Sequence, residues 1–339
     1  MGIEYLQLKK KRTGTSISSS SSDEDVSVTA EPLHKMAPAK LYNELLPLKL
    51  SLEQLTANGY PFWDQTLNQA VFAPTLTNQR DWVVANDFFR KCSRCSKDFT
   101  LNPDGTMSPQ KCSYHHRPKF DASIGQMKRT CCSAKPGPSS NGCMTEDNHV
   151  FQSAWEDTLW DFVVTPQSKG KSDYRSNKVY GLDCELIHTL NGLEVARVSL
   201  VDMKGRVLLD TFVLPQYEIV SYNSFFSGVT EKDMESAISL DTCRLQLFQY
   251  INSETLLVGH SLESDLKALR IVHYNVIDTS VLFQSPNPHK GYRKKVSLQN
   301  LATMMLGKVI QSEKTGHSSV EDSLTCLELL AMRHATFVK

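Results

Sequence analysis

The sequence lacks a long apolar run, a secretion signal and an excess of charge of either sign. No stretch of its 339 residues approaches the roughly 18 to 20 apolar residues that a membrane-spanning helix needs. Its first residues have no apolar core of a signal peptide, and Leu6 stands where a myristoylation signal requires Ser or Thr. The 37 basic residues balance the 37 acidic ones, so overall charge indicates no class of partner. We expect a soluble, intracellular protein with no membrane partner.

Cysteine is not scarce, but its distribution argues against a disulfide-stabilised protein. Of nine cysteines, six lie between Cys92 and Cys143, where several histidines join them. In a reducing compartment such a cluster is more often a metal site than a set of disulfides. The surrounding segment, 89–150, has little hydrophobic periodicity, which is typical of a small domain held by metal ions.

Composition and periodicity divide the chain into five segments. They are a disordered Ser-rich acidic tail (1–38), a helical segment (39–88), a Cys/His zinc-binding domain (89–150), a helix followed by a linker (151–176) and a large C-terminal domain (177–339). In the helical segment, Ser51 is the predicted N-cap and Gln54 completes a capping box. Asn58-Gly59 is predicted to end that helix.

The C-terminal domain has the pattern of an α/β fold. Three strands are predicted first, with Asn191-Gly192 and Lys204-Gly205 in the hairpin connections between them. Strands and helices then alternate, beginning with a helix near residue 240 and ending with helices near 297–306 and 318–334. This order predicts a mixed sheet flanked by helices.

Two acidic residues interrupt the first of these strands, in the stretch YGLDCELIH (180–188). Residues two apart on a strand share a face, so Asp183 and Glu185 should project together. A divalent cation would relieve the repulsion between two such carboxylates. The alternative is that both acids lie on the exposed face of a half-buried strand.

Three further polar residues occur near the starts of later helices. Asp265 lies in the first turn after the predicted strand TLLVGH, and His317 precedes Asp322 at the start of the final helix. Four carboxylates at the end of a central strand are the oxygen ligands that two Mg²⁺ (or Mn²⁺) ions about 4 Å apart require. A histidine beside them can accept the proton of an attacking water. Alternatively, each acid favours the dipole of its helix, and the histidine has no chemical role.

This order of residues resembles the Rex-type RNA exonucleases, a family of DEDDh 3′-to-5′ exonucleases with an RNase H-like fold. The matching strings, all within 178–335, are GLDCEL, TFVLPQYEIVSYNSFFSGVTEKD, GHSLESDLKALRIVHYNVIDTSVLF and GHSSVEDS. The resemblance implies that His317 is the general base and that four residues bind the metal ions, namely Asp183, Glu185, Asp265 and Asp322. Leu186 departs from the family, which usually has Met there.

The family resemblance implies the activity as well. It implies an exoribonuclease that trims the 3′ ends of RNA, especially single-stranded overhangs of structured RNA, and releases nucleoside 5′-monophosphates. Two alternatives are a single-stranded DNA 3′-exonuclease and an adaptor whose exonuclease fold is inactive. Residence in the nucleus or nucleolus also follows from the resemblance and from the weak KKKR run at 9–12, with the cytoplasm left open.

Several residues are candidates for contact with the nucleic acid. By resemblance, Leu186, His260 and Leu262 line the pocket for the terminal nucleotide. The stretch HKGYRKK (289–295) places Tyr292 among basic residues that include Arg293 and Lys294, a composition that suits phosphate contact and base stacking. The alternative is a solvated basic loop.

The Cys/His segment offers eight candidate ligands for one or two structural Zn²⁺ ions. They are Cys92, Cys95, Cys112, His115, Cys131, Cys132, Cys143 and His149. Their order resembles CHORD-type zinc modules, in which the ligands of two sites alternate along the chain, so the order alone does not assign the pairs. His116 competes with His115, and the alternative for the second site is a pair of buried free cysteines. The segment carries 10 basic and 5 acidic residues, so it suits contact either with RNA or with a protein partner.

Overall fold

The computed structural model describes ten stretches of the chain. They are residues 33–72, 88–115, 118–121, 126–129, 131–132, 142–152, 161–170, 172–286, 293–311 and 316–337. No helix among these residues is long and apolar enough to cross a membrane. Most of the predicted tail lies outside the described residues, but its predicted end at residue 38 is wrong. Leu33 and Met36 are already buried in a hydrophobic core.

The segment predicted to be helical (39–88) forms two short helices followed by a hairpin, so the prediction is wrong beyond the second helix; residues 73–87 lie outside the described residues. The four elements are α1 (Pro38–Leu45), α2 (Leu52–Ala57), β1 (Phe62–Asp64) and β2 (Gln69–Val71). The predicted capping box is confirmed, because the Gln54 amide donates to Ser51 Oγ at 3.2 Å and the Ser51 amide donates to Gln54 Oε1 at 2.9 Å. A short 3₁₀ turn that contains Pro47 separates the two helices, since proline cannot continue a helix.

The Cys/His segment is a set of short antiparallel pairs around a small apolar core. Its strands are β3 (Phe89–Lys91), β4 (Asp98–Thr100), β5 (Cys112–Tyr114), β6 (Pro118–Asp121), β7 (Gln126–Arg129) and β8 (Met144–Glu146), paired as β3–β4, β5–β8 and β6–β7. Phe99, Leu101 and Phe151 form much of the core, together with two of the cysteines.

The helix predicted from residue 151 does not reach its predicted end. Residues 153–160 lie outside the described residues, and the next element is a strand, β9 (Val163–Val164). The Val163 amide donates to Arg270 O at 2.9 Å, and the Thr165 amide donates to Val272 O at 3.1 Å. These backbone bonds hold the β-branched residues extended, which the helical spacing of their side chains did not indicate.

The C-terminal domain contains the remaining elements. They are β10 (Val179–Thr189), β11 (Gly192–Asp202), β12 (Val207–Leu214), β13 (Ile219–Ser221), α3 (Ser224–Ser227), β14 (Ile238–Ser239), α4 (Leu240–Leu247), β15 (Leu256–Gly259), α5 (Glu263–Ala268), β16 (Ile271–Val272), β17 (Val276–Asp278), α6 (Thr279–Leu282), β18 (Ser285–Pro286), β19 (Arg293–Lys294), α7 (Leu298–Leu301) and α8 (Ser319–Phe337). A π-helical turn, Ala302–Leu306, continues α7.

One sheet dominates this domain, in the order β14-β12-β11-β10-β15-β17. Strands β10, β11 and β12 are antiparallel hairpin neighbours, whereas β15 and β17 run parallel to β10. The predicted mixed α/β sheet flanked by helices is therefore confirmed. The short strand β13 pairs with the end of β10, and β16 pairs with β9.

Helices cover both faces of the sheet, which places β10 in the middle of the core. On one face, Leu182 of β10 belongs to the same apolar cluster as Leu247 of α4 and Leu266 of α5. On the other face, Val179 clusters with residues of α1, α7 and α8. A strand covered on both sides can hold polar side chains only where the helices leave room for their partners.

The upstream helices belong to this same core. Leu45 of α1 packs on one face of the sheet and Leu55 of α2 on the other. The Tyr60 hydroxyl donates to Asp278 Oδ2 at 2.7 Å, and the Leu50 amide donates to Val276 O at 2.9 Å. The predicted helical segment is thus packed into the C-terminal domain.

Replacing a buried leucine of α2 should therefore destabilise the C-terminal domain. Leu55 is 0% exposed, so Leu55→Ala should lower the free energy of unfolding by about 2–5 kcal/mol, because it removes apolar contacts and leaves a cavity. Leu52, on the same helix, is 65% exposed, and Leu52→Ala should change the free energy of unfolding by less than about 0.5 kcal/mol. Urea denaturation measures both, and equal effects would contradict the packing.

Candidate active site and metal centres

The predicted acid pair lies at the middle of β10. Asp183 opposes Ser199 and Glu185 opposes Arg197 on β11. The register shifts directly after Glu185, so that Leu186 opposes Val195. A bulge of this kind bends the strand and re-aims the side chains beside it. The irregularity therefore sits where β10 presents its two carboxylates.

Because Gly181 has no side chain, α8 can pack closely against β10 near these acids. A Cβ on Gly181 would lie 2.8 Å from Ser323 O and 3.2 Å from Leu327 Cγ, so only glycine permits this approach of helix and strand. Asp322, in the first turn of α8, is buried. The close packing at Gly181 thus carries Asp322 to Asp183, two residues further along β10.

Asp265 reaches the site from the other side of the sheet. It lies in the first turn of α5, which follows β15, the parallel neighbour of β10. Its Oδ1 accepts a hydrogen bond of 2.8 Å from the amide of Cys184, the residue between Asp183 and Glu185. The four predicted carboxylates therefore converge on one point of β10.

His317 precedes α8 and is held by the segment that follows β13. Its amide donates to Phe226 O at 2.7 Å, and the Phe226 ring meets the imidazole edge-on. A Cβ on Gly316 would lie 2.7 Å from the backbone of Gly228, so the two segments touch through their glycines. His317 Nδ1 is 3.9 Å from Asp322 Oδ2, which places the imidazole at the rim of the carboxylate cluster.

The cluster is electrostatically unfavourable by itself. Desolvation, followed by the charges of Asp265, Asp322 and Glu185, holds the pKa of Asp183 well above its usual range. Burial and the neighbouring acids raise the pKa of Glu185 to about 9, although Arg197 opposes them. Burial likewise raises the pKa of Asp322 to about 6. Four carboxylates in one enclosed site favour either protons or a cation.

Two oxygens of the cluster lack a hydrogen-bond partner and suit metal ligation. Glu185 Oε1 and Asp322 Oδ1 are buried without a donor among the described residues. Buried acceptors without donors are costly unless an ion or water satisfies them, and carboxylate oxygens are the ligands that Mg²⁺ and Mn²⁺ prefer. The chemistry of the donor set therefore fits divalent cations.

The residues around Asp322 include one that the motifs did not indicate. Gln311 Nε2 donates to Asp322 Oδ2 at 2.7 Å, and the Gln311 amide donates to Glu321 Oε2 at 3.2 Å. Gln311 thus fixes the orientation of one carboxylate of the site. Nothing in the sequence distinguishes this glutamine, because the contact depends on how the loop before α8 folds back.

The three residues predicted to line the pocket for the terminal nucleotide differ in burial and in their contacts. Leu186 is partly buried against the core beside Glu185, and His260 Nδ1 lies 2.9 Å from Thr279 Oγ1. Leu262 is fully buried in the main core. A Cβ on Gly259 would lie 2.6 Å from Leu262 Cδ1, so the leucine packs against the end of β15. Its contact with the terminal nucleotide stays a prediction.

The basic stretch is only partly described. Lys294 is exposed in β19, while Tyr292 and the side chain of Arg293 lie outside the described residues. The next residue, Lys295, pairs with Glu263 at 3.0 Å. Glu263 lies in the same first turn of α5 as Asp265, so the end of the basic stretch is fixed beside the carboxylate cluster.

The eight predicted Cys and His ligands form two groups of four. In one group Cys92, Cys95, Cys112 and His149 lie within 4.8 Å of one another; in the other, His115, Cys131, Cys132 and Cys143 do so. His149 therefore belongs with the first three cysteines. All four residues of the second group lie between Cys112 and His149 in the sequence. The resemblance to CHORD-type modules implied alternation instead. His116 lies outside the described residues.

The spacing within both groups suits a tetrahedral metal ion. Cys92 Sγ and Cys112 Sγ are 3.6 Å apart, and Cys131 Sγ and Cys143 Sγ are 3.4 Å apart. Ligands at about 2.3 Å from a tetrahedral zinc ion lie roughly 3.8 Å from one another. The hydrogen bond between Cys92 and Cys112 lowers the pKa of the Cys92 thiol, despite burial, and raises the pKa of Cys112, so the two sulfurs share a proton that a metal ion would displace. Either group could hold a metal ion.

Comparison with known proteins assigns the chain to a family. No protein-family model matches it. RNA exonuclease 3 of Candida albicans is 32% identical over 347 residues, which cover 97% of this chain and 78% of that protein. The chain belongs to the RNA exonuclease family. The resemblance to the Rex-type enzymes that its motifs indicated is thereby confirmed.

Other members of the RNA exonuclease family are longer than this chain. Putative RNA exonuclease pqe-1 of Caenorhabditis elegans is 40% identical over 86% of this chain but only 18% of its own length. The chain spans less than half of the first curated relatives that it matches. Among solved structures, the Neurospora crassa Pan2 catalytic unit (protease and nuclease domain) has 26% identity and a TM-score of 0.44, covering 56% of this chain and 34% of its own.

The raised carboxylate pKa values predict how stability depends on pH when no divalent cation is present. The pKa of Glu185 rises from 4.5 to about 9 on folding, so the folded state binds the extra proton. The metal-free protein should therefore lose stability as pH rises from about 4.5 to 9. Glu185→Gln should remove part of this loss and raise the free energy of unfolding at pH 8 by about 0.5–2 kcal/mol.

Asp210 provides a control of opposite sign. Although burial opposes it, hydrogen bonds from Arg197 and Ser199 lower the pKa of Asp210, and Arg197 binds it through two contacts of 2.8 and 2.7 Å. Asp210→Asn should destabilise the protein at pH 8. Urea denaturation in Mg²⁺-free buffer between pH 5 and 9 compares the three proteins. A destabilised Glu185→Gln would contradict the repulsion inferred for the cluster.

Proposed function

We propose that this chain is a 3′-to-5′ exoribonuclease that hydrolyses the terminal phosphodiester of RNA and releases nucleoside 5′-monophosphates. The observation that carries the proposal is the convergence of Asp183, Glu185, Asp265 and Asp322 beside His317. Similar proteins are named RNA exonucleases, which supports RNA as the substrate. Family resemblance also favours a nuclear or nucleolar location.

The four carboxylates would hold two Mg²⁺ or Mn²⁺ ions. Bound there, the ions would supply Lewis-acid activation of the attacking water and neutralise charge on the scissile phosphate. Asp183 and Glu185 are fixed by the central strand, whereas Asp265 and Asp322 enter on the first turns of α5 and α8. Rigid elements thus supply all four ligands, as a preorganised site requires.

His317 is suited to accept the proton of the attacking water. Its imidazole is partly exposed, with 28% of the side chain accessible, and it stands 3.9 Å from Asp322. An accessible imidazole at the rim of the cluster can take up a proton and pass it to solvent. The backbone bond to Phe226 O holds the imidazole in this place.

The two Cys/His groups would hold one Zn²⁺ each, as structural sites. Every ligand position of a tetrahedral ion would be filled by protein, so these ions would have no open position for catalysis. Their role would be to fold a segment whose apolar core is small.

The decisive experiment uses a short RNA labelled at its 5′ end and carrying a 3′-hydroxyl. The wild-type protein with Mg²⁺ should yield a ladder that shortens from the 3′ end. Asp183→Asn should reduce the rate at least about 10³-fold, because it removes a charged ligand and so weakens the binding and positioning of the ions that stabilise the transition state. Removing Mg²⁺ should have the same effect.

Controls separate this proposal from its alternatives. Asp98→Asn, on an exposed residue of β4, should leave the rate unchanged. Preference for a DNA of the same sequence would contradict the ribonuclease proposal while leaving the exonuclease chemistry intact. The absence of any ladder from folded, Mg²⁺-loaded protein would reject the enzyme proposal and favour an adaptor.

Zinc content tests the two metal groups independently of activity. Purified protein should contain two zinc ions per chain, one for each group of four ligands. His149→Ala should release the ion of the Cys92 group, and Cys132→Ser should release the other, as measured by atomic emission. Cys243→Ala, at a buried cysteine outside both groups, should retain both ions. A wild-type protein with one zinc ion, or with none, would overturn this assignment.

A further inference from the structure

Arg94 links the first Cys/His group to the C-terminal domain. It lies between the ligands Cys92 and Cys95, and its amide donates to Cys92 Sγ at 3.4 Å. Its guanidinium stacks over the Tyr114 ring, 5.1 Å from the ring centroid. Arg94 is thus flanked by two members of the first Cys/His group and packs against an aromatic ring, which together fix the position of this long side chain.

The guanidinium binds the segment that carries α3. Arg94 Nη2 donates to Ser221 Oγ at 2.9 Å and to Asn223 Oδ1 at 3.3 Å. Asn223 is the N-cap of α3 and has a left-handed backbone, with φ of 53°. Asparagine enters the left-handed region more readily than other side chains because its short polar group can form hydrogen bonds, and here that group accepts from Arg94.

From Asn223 the connection continues to His317. The amides of Phe226 and Ser227 donate to Asn223 O at 2.8 and 3.0 Å, closing the single turn of α3. The carbonyl of Phe226 then accepts the His317 amide at 2.7 Å. The contact between Gly228 and Gly316 fixes the same junction, so a shift of α3 would move His317 with it.

A second contact ties the Cys/His segment to this region. Val220, in β13, packs against the apolar core formed by Phe99, Tyr114 and Phe151. Ser221 in the same strand pairs with His188 on β10, three residues after Glu185. The segment therefore rests on β10 and β13 beside the carboxylate cluster.

We propose that Arg94 is a positioning residue, through which the metal-bound Cys/His segment holds β13, α3 and hence His317 in the geometry for catalysis. This inference rests on the proposed exonuclease function. In this role the Cys/His segment supports the active site and affects the rate of the chemical step. A segment that only bound RNA would instead affect the affinity for the substrate. Arg94 touches neither the carboxylates nor, in this role, the RNA.

The experiment measures single-turnover RNA cleavage at saturating enzyme, which reports the chemical step and not RNA affinity. Arg94→Ala should reduce this rate about 10- to 100-fold, because small displacements of a catalytic group are costly, with no change in half-saturating enzyme concentration. Lys97→Ala removes the same charge from an exposed side chain of the same segment and should leave the rate unchanged. Zinc content of both variants should equal that of the wild type.

A double-mutant cycle identifies His317 as the residue through which Arg94 acts. In a His317→Gln background, Arg94→Ala should cause less than about a twofold further loss. Asn223→Gly keeps the left-handed backbone accessible but removes the Oδ1 acceptor, and it should reproduce a large part of the Arg94→Ala defect. Independent losses that multiply would overturn the proposal.

Hydrogen–deuterium exchange supplies a measurement that does not require activity. Arg94→Ala should speed exchange in peptides covering 221–228 and 316–322, and a zinc-selective chelator with Mg²⁺ in excess should do the same to the wild type. Unchanged exchange there, or a defect confined to RNA affinity and shared with Lys97→Ala, would overturn the proposal. An inactive wild type would reject the exonuclease function, while the exchange result would still decide whether Arg94 positions His317.

Discussion

Helix α8 packs directly against β10 at Gly181, where a Cβ would come within 2.8 Å of Ser323 O. This approach brings a helix-borne carboxylate beside two strand-borne ones, although their charges oppose it. Apolar burial on both faces of the sheet, including residues of the upstream helices, supplies the free energy that holds these charges together. The candidate site is therefore a cluster of mutually repelling carboxylates that the surrounding apolar packing holds together.

Buried carboxylates that repel one another are typical of a functional site. Among the described residues, Glu185 Oε1 and Asp322 Oδ1 are buried without a donor, and Arg197, whose charge opposes the rise in the pKa of Glu185, is bound to Asp210. A protein selected only for stability would replace the acids or pair them. The arrangement is understandable if divalent cations complete it, since they remove the repulsion and satisfy the open acceptors.

Three stretches of chain outside the sheet complete the site. The upstream helices close the core, and Tyr60 holds Asp278 at the end of β17. The loop before α8 contributes Gln311 to Asp322. The Cys/His segment reaches β13 and α3 through Arg94. Segments that are distinct in composition thus form one connected framework around β10, so a change in one of them can act on the chemistry of another.

The sequence by itself determined the strand order of the central hairpins, the Ser51 capping box, the acids and histidine of the candidate site and all eight members of the two Cys/His groups. These features are local: periodicity, caps and ligand types are properties of neighbouring residues. The tertiary structure decided the rest. It assigned His149 to the first Cys group, turned Leu262 into the core, made a strand of Val163–Val164 and brought Gln311 and Arg94 to their partners. Each of these depends on contacts between residues distant in sequence, which no local pattern records.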